Sequence, residues 1–456
     1  MAPVTEPSLF MSNPKNDPRT IRAWTMYDWS ISVYNLVIGT TFFPIYFLAV
    51  TNSAFGEDTV PLLGRTFKNS ALYNYTLSVA YLLIAFMLPI LTSIADTAGN
   101  KKKFMRFFCY MGGAACIGMY WFRGENIGWG ILCLMLAAIG YVGSLVFYNS
   151  YLPEICTEDQ MDRVSAKGFA MGYLGSVILQ MIGFALVIYF TNQNPPDKLS
   201  GPLFTFVLTG LWWVGFAQIP FAALKDRGSN STEKINYVSR GFTELRKVWN
   251  QLKTLTVLRL FLLAFFFFNM GVQTVMLAAS IFGSRVLQLP NDKLIITLVL
   301  VQLLGIAGAV ILSKLAPKVG NLNMLAIIVV LWIGICISAY FIANHKESGG
   351  DVEFLFYGLA CCVGMVMGGI QSISRSTYSK LMPETKDTAS FFSFYDVTEK
   401  VAIVIGIFSF GFIDELFGMK NSVLSLIVFF LLGFFGLLIA RNKQKQLEST
   451  TNNADV

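Results

Sequence analysis

Twelve apolar runs, most of them twenty residues or longer, leave this chain few ways to fold in water. They cover approximately residues 24–50, 70–95, 104–122, 127–150, 165–191, 202–224, 258–284, 292–315, 323–344, 352–376, 391–416 and 421–440. A helix needs about 20 apolar residues to cross a hydrocarbon core of about 30 Å. Inside that core each backbone N–H and C=O must find its partner within the chain, which favours helices. The runs therefore predict an all-α membrane protein with twelve transmembrane helices. Composition agrees, since 13% of the 456 residues are charged against about 25% in soluble domains.

The polar segments between runs are short except one, Lys225 to Thr256, after the sixth. Six runs, a long loop and six more runs predict two six-helix halves. The expected organisation is a tail over 1–22, a first domain over 23–224, a linker over 225–257, a second domain over 258–440 and a tail over 441–456. With Met1 in the cytoplasm, 26 Lys and Arg fall on inner segments and helix ends and 8 on the outer side, together the chain's 34. The positive-inside rule then puts both termini in the cytoplasm. The net charge of +7 needs no nucleic-acid partner. Met1 to Arg22 lacks the apolar core of a cleavable signal peptide, so the first span serves as the insertion signal. In the linker, Val238, Phe242, Leu245, Trp249 and Leu252 share one helical face while Arg240, Arg246, Lys247 and Lys253 occupy others. That pattern suits a helix lying in the inner membrane interface; a calmodulin-like partner is the alternative.

Ionisable side chains inside spans are costly and mark candidate functional sites. Asp28 lies near the start of the first span, and Asp396, Glu399 and Lys400 lie in the first turns of the eleventh. Glu399 and Lys400 read as a structural pair. Arg375, at the inner end of the tenth span, could clamp a substrate carboxylate with its planar fork, pair with Asp396 across the bundle, or anchor on lipid head groups. Deeper positions carry neutral polar groups, among them Tyr141, Ser144, Gln180 and Gln302. Asn35, Asn269 and Gln273, on the first spans of the two halves, are read with Tyr141 as cavity-lining residues for a small zwitterionic or weakly polar substrate. Close helix contacts are expected at Gly168, Gly172 and Gly175, at Gly305 and Gly308, and at Gly364 and Gly368.

Other chemistries lack their residues. The single His, His345, falls in an outer loop, so an intramembrane imidazole relay is excluded, and no phosphate-binding lysine loop points to ATP hydrolysis. Cys109, Cys116, Cys133, Cys336 and Cys361 lie within apolar runs and no CxxC pair occurs, which reads as packing and not metal binding. The chain is read as a non-enzyme without metal or cofactor. If protons couple to its action they must use carboxylates: Asp28, Asp396 or Glu154.

The halves echo one another. A-D-T-A-G-N at Ala95–Asn100 matches A-P-K-V-G-N at Ala316–Asn321, and L-P-E at Leu152–Glu154 matches M-P-E at Met382–Glu384. Such parallel repeats, with Asp96, Gly99 and Lys101 in a basic hairpin after the second span, resemble the major facilitator superfamily and its G-x-x-x-D-[RK]-x-G-x-[RK] motif. Thr92 and Thr97 replace the first Gly and the first basic residue. More narrowly, W-T-M-Y-D-W-S-I-S-V-Y-N (Trp24–Asn35), Y-N-S-Y-L-P-E (Tyr148–Glu154), S-A-K-G-F-A-M-G-Y-L-G-S (Ser165–Ser176), G-G-I-Q-S-I-S-R-S (Gly368–Ser376) and F-F-S-F-Y-D-V-T-E-K (Phe391–Lys400) resemble the "unknown major facilitator" family. That group includes bacterial members and the vacuolar amino-acid effluxers linked to autophagy. The resemblance implies a bacterial-type secondary transporter of the cytoplasmic membrane. It would be a monomer among membrane lipids, moving amino acids or similar small solutes by alternating access. It also implies that Asp96 latches onto the N-terminal end of the eleventh helix. Multidrug efflux, and a non-transporting receptor or scaffold on the same fold, are the competing expectations.

Overall fold

The computed structural model describes residues 14–56, 59–62, 64–226 and 237–454. The first helical path joins α1 (Pro18–Val33), a π-helical stretch (Tyr34–Phe42) and α2 (Phe43–Phe55). Asp17 caps α1, its carboxylate accepting from the Thr20 N–H at 2.9 Å and the Thr20 hydroxyl at 2.7 Å. Pro44, near the start of α2, has no N–H and crowds the carbonyl four residues back. The preceding turns widen to π geometry, which local sequence patterning does not foretell. A short antiparallel hairpin, β1 (Thr59–Leu62) and β2 (Arg65–Lys68), follows between the first and second apolar runs.

The remaining helices of the first group are α3 (Asn69–Ala98), α4 (Lys101–Gly118), α5 (Ile127–Ser150), the single turn α6 (Leu152–Ile155), α7 (Glu158–Thr191) and α8 (Ser200–Ala223). After α9 (Tyr237–Thr254) come α10 (Thr256–Arg285), α11 (Asn291–Val319), α12 (Asn321–Glu347), α13 (Glu353–Leu381), α14 (Thr388–Phe417) and α15 (Met419–Ala454). The last helix passes the boundary expected at 440. Helices α1–α8 pack mainly on one another, as do α10–α15; the two groups meet through α3 and α5 against α14, and α7 against α11 and α13.

Ten helical paths among the described residues are long and apolar enough to cross a membrane. Helices α4 and α14 fall outside that number. The first opens with Lys101, Lys102, Lys103 and Arg106, and the second carries Asp396, Glu399 and Lys400. Large side chains cover the outer surface, Phe86 being 79% and Phe354 80% exposed. A surface of that kind calls for lipid.

Glycines set the tightest helix crossing. A Cβ on Gly308 would stand 1.9 Å from the Met365 carbonyl oxygen, and one on Gly368 2.0 Å from that of Gly305. Gly308→Val should therefore force α11 and α13 apart at a cost on the order of 1–3 kcal/mol. Gly334→Val, on α12 with nothing within 4 Å of the added Cβ, should be neutral. Thermal unfolding in detergent checks this; equal melting temperatures for the two variants would contradict the packing described.

Candidate functional site

Between the two groups lies a cavity of about 170 Å³. Asn35, Tyr141, Asn269, Gln273, Arg375 and Asp28, each singled out from the sequence, all border it. Asn35 sits on the π-helical stretch, where Gly39 gives its carbonyl to the Tyr73 hydroxyl at 2.7 Å. Such stretches are frequent at functional positions because they redirect side chains. Asn269 and Gln273 lie one turn apart on α10, and the Gln273 amide donates to Asn269 at 3.4 Å and to Glu399 at 3.2 Å. From their adjacency, Glu399 and Lys400 are expected to form a structural pair. They do pair, at 3.0 Å, and both also border the cavity, which thus carries charged as well as neutral polar groups.

One end of the cavity is closed by Arg375, which α13 carries into a socket made wholly by the first group. Its Nε donates to Ser165 Oγ at 3.0 Å, Nη1 to Asp28 and Asn149 at 3.2 Å each, and Nη2 to Asp28 at 3.2 Å and the Ser165 carbonyl at 2.8 Å. All five guanidinium donors are thus engaged. The rings of Phe169, Trp24 and Tyr148 surround it at 4.2, 4.9 and 5.5 Å. The Tyr148 hydroxyl donates to Asp28 at 2.6 Å, fixing the carboxylate from its other side. Gly168 leaves the room: a Cβ there would lie 2.3 Å from Asp28 Oδ2 and 2.8 Å from Arg375 Nη2. Neither Asp396 nor lipid is the partner of Arg375, contrary to two of the sequence expectations. The guanidinium is 2% exposed, out of reach of head groups. Asp396 is buried away from the cavity, with no donor on either carboxylate oxygen among the described residues.

Beyond Arg375, towards the face that holds Asp17 and the basic α3–α4 turn, two latches join the groups. In the first, Asp96 accepts from the Ser390 N–H at 2.7 Å, the Ser390 hydroxyl at 2.8 Å and the Ala389 N–H at 3.4 Å. The carboxylate thus meets unpaired amides at the positive end of α14. Lys101 and Glu154 pair beside it, and Thr388 bonds to both, to Glu154 at 2.7 Å. The second latch escaped sequence reading. Asp162 of α7 accepts from Asn321 at 2.7 Å, Ser376 at 2.6 Å and Lys380 at 2.6 Å. Its sequence signal was half present: Asn321 closes the A-P-K-V-G-N echo, whose Gly320 takes φ +91°, as Gly99 takes +63° in the first turn. Each latch ties a turn in one group to the beginning of a helix in the other.

The linker helix α9 lies across this face, packed mainly on α3. Val248 and Leu252 are buried, and Trp249 meets Phe394 of α14 with ring centroids 5.5 Å apart. The face expected to lie on lipid is thus partly turned onto protein, with Phe242 exposed; the side chains of Val238 and Arg240 lie outside the described ones. Lys247 is held above the usual lysine range by a hydrogen bond to Glu244 and then by the charge of Asp387 at 3.8 Å.

The family described as "Vacuole effluxer Atg22 like" matches residues 16–449. An uncharacterized MFS-type transporter, YxiO of Bacillus subtilis, is 31% identical, the match covering 90% of this chain and 92% of that one. Autophagy-related protein 22 of Kluyveromyces lactis is 25% identical over 96% of this chain and 97% of its own. Among solved structures, the human organic anion transporter MFSD10 superposes with a TM-score of 0.71 at 12% identity, covering 92% of this chain and all of that one. The proton:xylose symporter XylE gives 0.67 at 11% identity, covering 93% and 95%. These likenesses give the fold, that of major facilitator transporters.

Asp28→Asn would leave Arg375 without its counter-charge. Removing one partner of a buried pair costs about 3–5 kcal/mol, and separating the groups at this face relieves that cost. A cysteine at Ser379, 3% exposed on α13, should then react faster with a membrane-impermeant thiol reagent added at the basic face. Gly168→Ala should act in the same direction. Unchanged labelling in both variants would contradict the role given to the Arg375 socket.

Proposed function

From the premise that this chain belongs to the Atg22-like effluxer family of the major facilitator superfamily, as a bacterial-type member, we propose that it moves amino acids or similar small solutes by alternating access. It is a multi-pass membrane transporter and not an enzyme. The observation that carries the finer reading is the central cavity, bordered by polar groups from both helix groups and closed on one side by contacts that all run between them. A site between two packed bodies is reached from either side in turn if the bodies rock about it.

In this reading α4 and α14 also span, giving twelve transmembrane helices in two six-helix halves, 23–224 and 258–440, joined by the linker 225–257. The basic face is cytoplasmic, both termini lie there, and the membrane is the bacterial inner membrane. The chain works as a monomer. Asn35, Tyr141, Asn269 and Gln273 form the substrate chamber. Arg375 serves first as the bolt of the cytoplasmic gate, its donors being engaged by the opposite half, and meets substrate only when Asp28 releases it. Asp96 and Glu154 are gate residues on the same face. Asp28 and Asp396 are the candidates for proton coupling, Asp28 because protonation would remove the charge that holds Arg375. A second reading, efflux of aromatic or otherwise drug-like compounds, is favoured by the rings that line the chamber, Tyr81, Tyr141, Tyr173 and Phe265 among them.

Counterflow of labelled leucine in proteoliposomes tests the proposal. Wild-type protein should accumulate label when loaded with unlabelled leucine, and Asp28→Asn and Arg375→Ala should each lose most of that flux while keeping more of their folded yield. Counterflow with drug-like cations alone would select the second reading. No counterflow across amino acids and drugs would point to a scaffold.

A further inference from the structure

The two pairs of opposite charges that border the chamber differ in what they have left to give. Arg375 has spent every donor on the opposite half. Glu399 and Lys400 have not. Glu399 accepts from Gln273 at 3.2 Å through Oε1 and from Lys400 at 3.0 Å through Oε2, which leaves about half of a carboxylate's acceptor capacity open. The Lys400 ammonium donates to Glu399 and lies 5.7 Å from the centre of the Tyr81 ring; an ammonium has three donors. The side chains are 17% and 6% exposed, and both border the chamber. This is a carboxylate and an ammonium on consecutive residues of one helix, opening onto the polar space shared with Asn269, Gln273, Tyr81 and Tyr141.

A zwitterionic α-amino acid carries the complementary arrangement, an ammonium and a carboxylate separated by one carbon. We propose that Glu399 and Lys400 together recognise the α-ammonium and α-carboxylate of such a substrate. The internal pair opens and each member takes the opposite charge of the ligand, so two ion pairs replace one and no charge is left over. Gln273 stays on Glu399 Oε1 and holds that carboxylate in place. The Tyr81 ring faces the cationic side of the site, where an ammonium or Lys400 itself gains from the π face. A ligand with one charge blocked leaves a member of the pair uncompensated where both side chains are largely buried, and that asymmetry is the source of selectivity. The inference rests on the reading that the cargo is a small amino acid and adds which residues read its backbone; side-chain identity is then left to the apolar remainder of the chamber.

The test uses the purified full-length protein in detergent, with binding of leucine, leucinamide and N-acetylleucine measured by calorimetry. Loss of one charge-assisted contact weakens binding roughly ten- to hundredfold, so wild type should prefer leucine to both blocked analogues by about that factor. Glu399→Gln should lose the preference over N-acetylleucine while retaining that over leucinamide, and Lys400→Gln should do the reverse. If Lys400→Gln does not yield a monodisperse protein, Lys400→Met, which removes the charge and keeps an unbranched stem, carries that arm. Leucine binding with the wild-type ranking kept in the Glu399 and Lys400 variants would overturn this assignment alone. Binding of leucinamide as tight as that of leucine in wild type would overturn it in favour of a simple cation site. Absence of binding by leucine and by other amino acids in the wild type would overturn the amino-acid reading and this assignment with it.

Discussion

A guanidinium buried between two bodies that must separate is the constraint on which the rest of this molecule depends. Arg375 can lie at this depth only because the opposite helix group supplies a carboxylate, an amide, a hydroxyl and a carbonyl to it, with aromatic rings on its faces. A charge left there without those partners would cost several kcal/mol. The requirement explains the neighbouring sequence: Gly168 for room, Tyr148 to hold Asp28, and Trp24 to bond the Tyr148 carbonyl at 3.0 Å. It also makes the closed face a discrete state, because the fork either sits in its socket or leaves it.

The contacts beyond Arg375 share a complementary property. Asp96 against the start of α14, the Lys101–Glu154–Thr388 cluster and the Asp162–Asn321–Lys380 cluster are polar and gather at one end of the bundle. Polar contacts of this kind can be exchanged for hydration when the groups part, whereas an apolar seam of the same area would resist opening. Apolar packing is instead concentrated within each group, where Gly308 and Gly368 bring α11 and α13 into backbone contact. Rigid groups joined by exchangeable contacts are what a rocking motion requires. The linker helix α9 adds to the closed state by touching α3 and α14 together.

Much of this was legible in the sequence because its signals are local. Span length and hydropathy mark the helices, and a charge inside a span stands out against its neighbours. That is how Asp28, Asn35, Asn269, Gln273 and Arg375 were picked out, and the structure brings them to one cavity. Pairing was not legible. Asp28 and Arg375 are 347 residues apart, and nothing local to Arg375 distinguishes Asp28 from Asp396 as its partner. Asp162 was passed over because a carboxylate near a helix start reads as ordinary capping until Asn321, Ser376 and Lys380 converge on it. The π-helical stretch was hidden since Pro44 announces a disturbance without saying which kind. Glu399 and Lys400 were read correctly as a pair, but adjacency in sequence does not reveal that their free capacity faces a cavity.

The central claim is that one face closes while the other opens, with the chamber between. Spin labels at Lys103 and Glu384 report the basic face, and labels at Glu125 and Ser348 report the opposite one; all four positions are exposed. Distances within each pair, measured by double electron–electron resonance in nanodiscs with and without saturating transported substrate, test the claim directly. Substrate should lengthen the Lys103–Glu384 distance and shorten the Glu125–Ser348 distance in the same population of molecules. Two distances that stay fixed, or that change in the same sense, would contradict alternating access about this cavity.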